Sequence, residues 1–203
     1  TTPQLGGNAN NTANVFHNMT AGNLTVGASR GNVRVKNGAT LTITGILILG
    51  GFGKMYVEIG GTLIVNGSII MTTNSNVLDN RGTMTVGNNI TAASASDVFI
   101  NGITTVGGNV STGGANADFN MTGGTLNIGG SISVSGNGDM DLNGTVTVGA
   151  GINVTGASTD FDLNGGTLDV TGNVTLNGDG NVKVDGAMTV TGTTKVTGSG
   201  GAT

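Results

Sequence analysis

Four aspartates recur in this chain at a fixed interval. Asp97, Asp118, Asp139 and Asp160 stand 21 residues apart, and Asp141 and Asp162 lie two positions beyond the last two. If that interval returns the backbone to the same place in space, the four form a column. Neighbouring members at a strand spacing of ~4.8 Å then repel by about 1 kcal/mol per pair in a water-like dielectric. A bound Ca²⁺ would relieve the repulsion and find several hard oxygen ligands. Paired carboxylates across a cleft can also serve as the acid and base of glycoside hydrolysis. The third role is structural, because Asp and Asn both accept hydrogen bonds from the backbone of a turn. Asn14, Asn32, Asn76 and Asn181 take the same place in other repeats, and the nine-residue calcium repeat GGxGxDxUx is absent. Turn bonding is therefore the expected role, with calcium as the subsidiary one.

Other candidates for chemistry are sparse. The chain has one His, His17, and no Cys, so a thiol nucleophile, a Cys-ligated zinc and a disulfide framework are all excluded. No nucleophile–base pattern or phosphate loop occurs. Parallel β-helix pectin-active enzymes build their clefts from long excursions between strands, and this chain has almost none. We expect no catalytic residues and no enzyme activity. Ten Asn-x-Ser/Thr sequons occur, against about 6 expected by chance. Asn66, Asn89, Asn109, Asn143, Asn153 and Asn173 are the glycosylation candidates. Thr-x-Thr pairs such as Thr40 with Thr42, Thr83 with Thr85 and Thr145 with Thr147 resemble the ice-binding face of insect antifreeze proteins. Ile64, Asn127 and Asp169 interrupt the series, and Thr is in any case a good strand former.

The elements that position these residues are written most clearly from Asp118 to Gly180. Three 21-residue blocks there read DFNMTGGTLNIGGSISVSGNG, DMDLNGTVTVGAGINVTGAST and DFDLNGGTLDVTGNVTLNGDG. Each holds three short bursts of alternating apolar and polar residues, the period-two mark of a strand with one buried face. Gly and Asn at the joints, such as Gly123-Gly124, supply the conformations that sharp corners need. Three strands per fixed repeat predict an all-β, parallel β-solenoid, or β-helix, of about nine coils of ~21 residues. One such coil cannot bury its apolar face alone, so the coils must stack.

Carried along the chain, the template puts first-strand anchors at Val15, Val33, Met55, Val77, Val98, Phe119, Met140, Phe161 and Val182. In this phase His17 and Asp79 fall at inward positions, and Ile46-Leu47-Ile48-Leu49 reads as a strand buried on both sides. Residues 1–13 form an arm, either loose or lent as a strand, including to a neighbouring subunit. Residues 14–201 form the solenoid and 202–203 its end. Neither terminus shows a cap over the open strand edges, which suggests joining to another copy.

Composition agrees with an ordered, turn-dense body. Gly makes up 40 of 203 residues with no Gly-X-Y period, and charged residues only 9%. The net charge of −4 with seven scattered basic residues argues against nucleic-acid binding. No apolar run approaches the ~20 residues of a membrane-spanning helix.

The words GGTLNIGGSISV, NGTVTVGAGINV and GGTLDVTGNVTL resemble the repeats of secreted surface β-solenoids, the filamentous-haemagglutinin-type adhesins and autotransporter passengers. The resemblance covers residues 14 to about 198 and implies a β-solenoid with an extracellular or cell-surface location. Bactofilins, also end-to-end solenoid polymers, have shorter and more charged rungs. The expected function is a structural protein that polymerises end to end into a filament, pilus-like fibre or sheath, with itself as partner. The alternative is an adhesin or spike module that recognises glycans or a surface.

Overall fold

The computed structural model describes residues 4–5, 12–27, 31–114, 116–156, 158–177 and 182–197. Among them there is no helix, and every strand pairing is parallel. The chain winds as a β-solenoid, turning from a first to a second to a third strand and returning one coil further on. The third strands form a ten-stranded sheet from Gln4–Leu5 to Thr194–Val196. First and second strands form one sixteen-stranded sheet, because Met140–Val148 and Phe161–Val170 run unbroken through the corner between them. First strands run from Thr12–Val15 to Val182–Val184 and second strands from Met19–Ala21 to Ala187–Val190. At the ~4.8 Å spacing of paired strands, nine coils make a rod about 40 Å long.

Alternation decides what each strand buries. In the coil of Phe119–Met121, the inward residues Phe119, Met121, Leu126, Ile128, Ile132 and Val134 are all within 2% of full burial. Asn120, Asn127 and Ser133 point the other way. Corners are tight enough to select glycine in places. Gly124 has φ 83°, and a Cβ there would lie 2.2 Å from the carbonyl oxygen of Gly102 in the coil below. Any side chain would meet both a forbidden backbone region and a backbone atom that cannot move aside.

The register corrects the expected phase in two coils. Ala13, not Val15, pairs with Val33, and Val15 pairs with Val35. In the fourth coil Leu78, not Val77, pairs with Met55, while Val77 pairs with Lys54 on the outward side. A slip of one residue turns every side chain of a strand to the opposite face. Asp79 is therefore outward, and Asn80 is the residue that enters the core, with no exposed surface. His17 lies past the end of its strand and is exposed.

Of the arm only Gln4–Leu5 and Thr12–Ala13 are described, and the second coil differs from expectation. Gln4–Leu5 pairs in parallel with Thr25 and Val26 of the same chain, extending the third sheet by one strand at its edge. The expected boundary at residue 14 falls inside the strand Thr12–Val15; the one at 201–202 lies outside the described residues. Leu47 and Leu49 are fully buried, but Ile48 is half-buried and Ile46 is 39% exposed. That strand is thus covered on one side only.

Candidate functional surface

The corner that opens each first strand holds the aspartate column. Lys54, Val77 and Asp97 share one register position, and Asp118, Asp139 and Asp160 continue it, each just before the paired Phe119, Met140 and Phe161. Asn32 belongs to this column. Asn14, paired with Arg34, stands on the next outward column, and Asn76 lies one residue short of the aspartate column, before Val77. Asn181 is outside the described residues. The carboxylates bond along the axis: Asp118 Oδ1 accepts the Asp139 N–H at 3.3 Å, and Asp139 Oδ1 accepts the Asp160 N–H at 3.1 Å. These are corner hydrogen bonds passed from coil to coil, the use the sequence favoured. Among the described residues no group of three or more His, Asp or Glu is gathered as a metal site.

Charge nonetheless accumulates there. Burial, then the neighbouring Asp118, raises the Asp97 carboxyl above its ordinary value, while Lys54 pulls the other way. Asp141 is raised by burial and then by Asp162, Asp139, Asp118 and Asp160. Asp162 is raised by burial and then by Asp160, and opposed by Lys183. Its Oδ1 is buried without a hydrogen-bond partner.

A second cluster lies in the three coils before Asp97 on the same face, and sequence inspection missed it. The Arg34 guanidinium sits 4.0 Å from the centroid of the Tyr56 ring, one coil along. Lys36 and Arg34 both reach Glu58, at 2.5 and 3.8 Å. Asp79 is buried at its side chain (7% exposed) and receives Nε and Nη2 of Arg81, the latter at 2.8 Å. That bond and the adjacent charge hold Arg81 more firmly protonated still. Arg34, Tyr56, Val57, Glu58, Ile59, Asp79 and Arg81 line a groove of about 280 Å³.

The two clusters are parts of one pattern. Among the described residues, every charged side chain except Asp169 and Lys195 lies on the first-strand face or the corners flanking it. Along that face the sign changes. Residues 34–81 carry Arg34, Lys36, Lys54 and Arg81 against Glu58 and Asp79, whereas residues 97–162 carry six aspartates and no Lys or Arg. The signal was available in the sequence as the complete lack of Lys and Arg between Arg81 and Lys183.

The remaining candidates distribute over other surfaces. All six sequon asparagines are exposed. Asn89, Asn109 and Asn173 form part of the corner before the third strand, their Oδ1 atoms accepting the N–H of Asn109, Ser131 and Thr193 at 2.8–2.9 Å. Asn66 stands earlier in that corner, Asn143 at the corner between first and second strands, and Asn153 on the outward side of Ile152–Val154. On the second face the register builds two outward Thr columns. Ile103 and Ala187 interrupt one, Ile64, Asn127 and Asp169 the other.

At the ends the apolar interior comes to the surface. In the last coil Val184 is 41% and Val196 52% exposed, whereas Leu163 and Leu176, their partners one coil below, are at most 4% exposed. At the opposite end Phe16 and Met19 are exposed. Comparison with protein-family models, with curated proteins and with solved structures gives no match to this chain.

Proposed function

We propose that this is a structural protein of the cell surface or extracellular space that extends by stacking coil on coil against another copy of itself, as a filament, fibre or sheath. One observation carries this reading: in the inward row of the last described coil Val184 and Val196 are exposed and Val182, Met188 and Val190 only partly covered, whereas their partners one coil below are buried. Among the described residues, Val182–Val184, Ala187–Val190 and Thr194–Val196 pair with another strand on one side only, and at the other end Thr12–Val15 and Met19–Ala21 do the same. An added coil would satisfy the open N–H and C=O groups of the edge and cover the aliphatics, the two contributions that make an open edge adhesive. Low charge on two of the three faces leaves little self-repulsion to oppose packing. The surface location is carried by the resemblance to secreted repeat proteins.

Negative-stain microscopy of the purified chain tests this. Fibres the width of one solenoid, or of a few side by side, are the expected result. Single short rods at high protein concentration would overturn it.

A further inference from the structure

We propose that the first-strand face is a lateral contact between two antiparallel copies of this chain, the basic block at residues 34–81 of each lying against the aspartate column at residues 97–162 of the other. The contact is separate from end-to-end joining, which uses the open edges of the stack rather than its side.

Placement of charge is the first argument. The second and third faces carry almost none, so the charged residues of a sparsely charged chain have been collected on one side and then sorted by sign along it. Arranged head to tail in register, two such faces would set like charges together. Arranged antiparallel about a two-fold axis, they match. Four first strands lie on each side of Asp97–Ile100: Thr12–Val15, Asn32–Val35, Lys54–Val57 and Val77–Asn80, and those of Phe119, Met140, Phe161 and Val182. With the two-fold axis along Asp97–Ile100, strand direction is kept, so each outward column meets itself. Arg34 then falls opposite Asp162 of the other copy, and Lys54 opposite Asp139. Both pairs occur twice, as an isologous interface requires. Phe99, half-buried on the outward side of the central strand, meets its own symmetry mate, and so does Asp97, a like-charge contact that the Arg34–Asp162 and Lys54–Asp139 pairs must outweigh.

The second argument is how the groups are held. Arg34 is laid on the Tyr56 ring and Arg81 is fixed by the buried Asp79 carboxylate, so neither guanidinium must be ordered on contact. Opposite Arg34, Asp162 keeps one oxygen buried and without a hydrogen-bond partner, and there is no Lys or Arg between Asp97 and Asp162. The third argument is area. Nine first strands at ~4.8 Å by four residues at ~3.3 Å present about 570 Å² per partner, about 1,100 Å² in all, just above the lower limit for a specific interface.

Sedimentation equilibrium of the full chain carrying Val184→Asp and Val196→Asp, to block end joining, tests the proposal. At low salt we expect dimers, with association weakened at least about tenfold near 1 M salt, where the screening length falls to about 3 Å. The pair Arg34→Asp, Lys54→Asp and the pair Asp139→Lys, Asp162→Lys should each be monomeric, and an equimolar mixture of the two should associate again. The same substitutions to Gln and Asn provide milder versions should a reversal impair folding, as read by circular dichroism. Monomers at low salt, or reversed variants that associate as the parent does, would overturn the proposal. So would a polyuronate or a divalent cation occupying the face while the chain stays monomeric.

Discussion

Asn80 offers the sharpest test of how the interior is built. It is fully buried at a position where the coils on either side have Val57 and Ile100. Its Nδ2 donates to the Ile103 carbonyl oxygen at 2.9 Å and to Thr104 Oγ1 at 2.8 Å, and its Oδ1 accepts the Gly82 N–H at 3.1 Å. Thr104, also fully buried, stands between Met84 and Leu126 in the inward row of the second strand. Two polar residues thus satisfy each other inside an aliphatic core. Asn80→Ala removes three hydrogen bonds, and at about 1 kcal/mol each should cost about 3 kcal/mol. Thr104→Val removes one and strands a buried Nδ2–H, for about 1–2 kcal/mol. Asn80→Leu with Thr104→Val replaces both partners by apolar groups of similar shape, leaving the Gly82 N–H unmatched and the Ile103 carbonyl oxygen without its side-chain donor. That double variant should lie within about 1 kcal/mol of the parent. Urea unfolding followed by far-ultraviolet circular dichroism, with equal slopes for all variants, gives the cycle. If the double variant is as unstable as Asn80→Ala, or if Asn80→Ala costs under 1 kcal/mol, the pair does not act as described.

Three further outcomes follow from the same geometry. Thr112 is 1% exposed with its hydroxyl unpaired, so Thr112→Val should stabilise by about 1 kcal/mol; a loss of stability in urea would contradict that. Asp97, Asp141 and Asp162 bind protons more tightly folded than unfolded, being raised above an ordinary value of 3.8. Above that value the native state holds the extra protons, so their contribution to stability grows as pH falls from neutrality towards about 4. Asp141→Asn with Asp162→Asn should raise the melting temperature at pH 7 and flatten the profile; a steeper profile would reverse the sign. Asp139→Asn keeps the Oδ1 acceptor for the Asp160 N–H and loses a negative charge, so it should be neutral or stabilising, whereas Asp139→Ala should cost about 1 kcal/mol. A calcium column would behave oppositely, losing stability on Asp139→Asn and on addition of EDTA.

Most of the solenoid was legible because strand alternation and corner glycines repeat together, and both leave marks in the sequence. The phase failed where the alternation was locally ambiguous. In Val77-Leu78-Asp79-Asn80 two apolar residues are adjacent, and the next inward residue is an Asn whose partner, Thr104, lies 24 positions away. Hydrophobicity cannot show that a buried amide will be satisfied. Alanine at position 13 is likewise too weak an anchor to compete with Val15. Corner chemistry was half legible: glycine marks many joints, yet Phe52, Ser75, Ser94 and Asn116 hold positive φ at the turn into the first strand. Of these only Asn is a usual choice. The aspartate column and its bonding to corner backbone could be read from the spacing and the Asn that replaces Asp, but not that each bond reaches the next coil. The charged face needed the register, because Arg34, Tyr56, Asp79 and Asp162 become one surface only when the coils are stacked.

The central claim is that the exposed aliphatic row at the end of the stack is an adhesive edge. Sedimentation velocity of the parent chain beside the Val184→Asp, Val196→Asp variant tests it most directly, at 0.5–1 M salt so that charge contacts are screened to about 3–4 Å. The parent should run as long, heterogeneous assemblies and the folded variant as a species no larger than a dimer. A variant that assembles like the parent would contradict the claim, as would a parent that is monomeric under the same conditions.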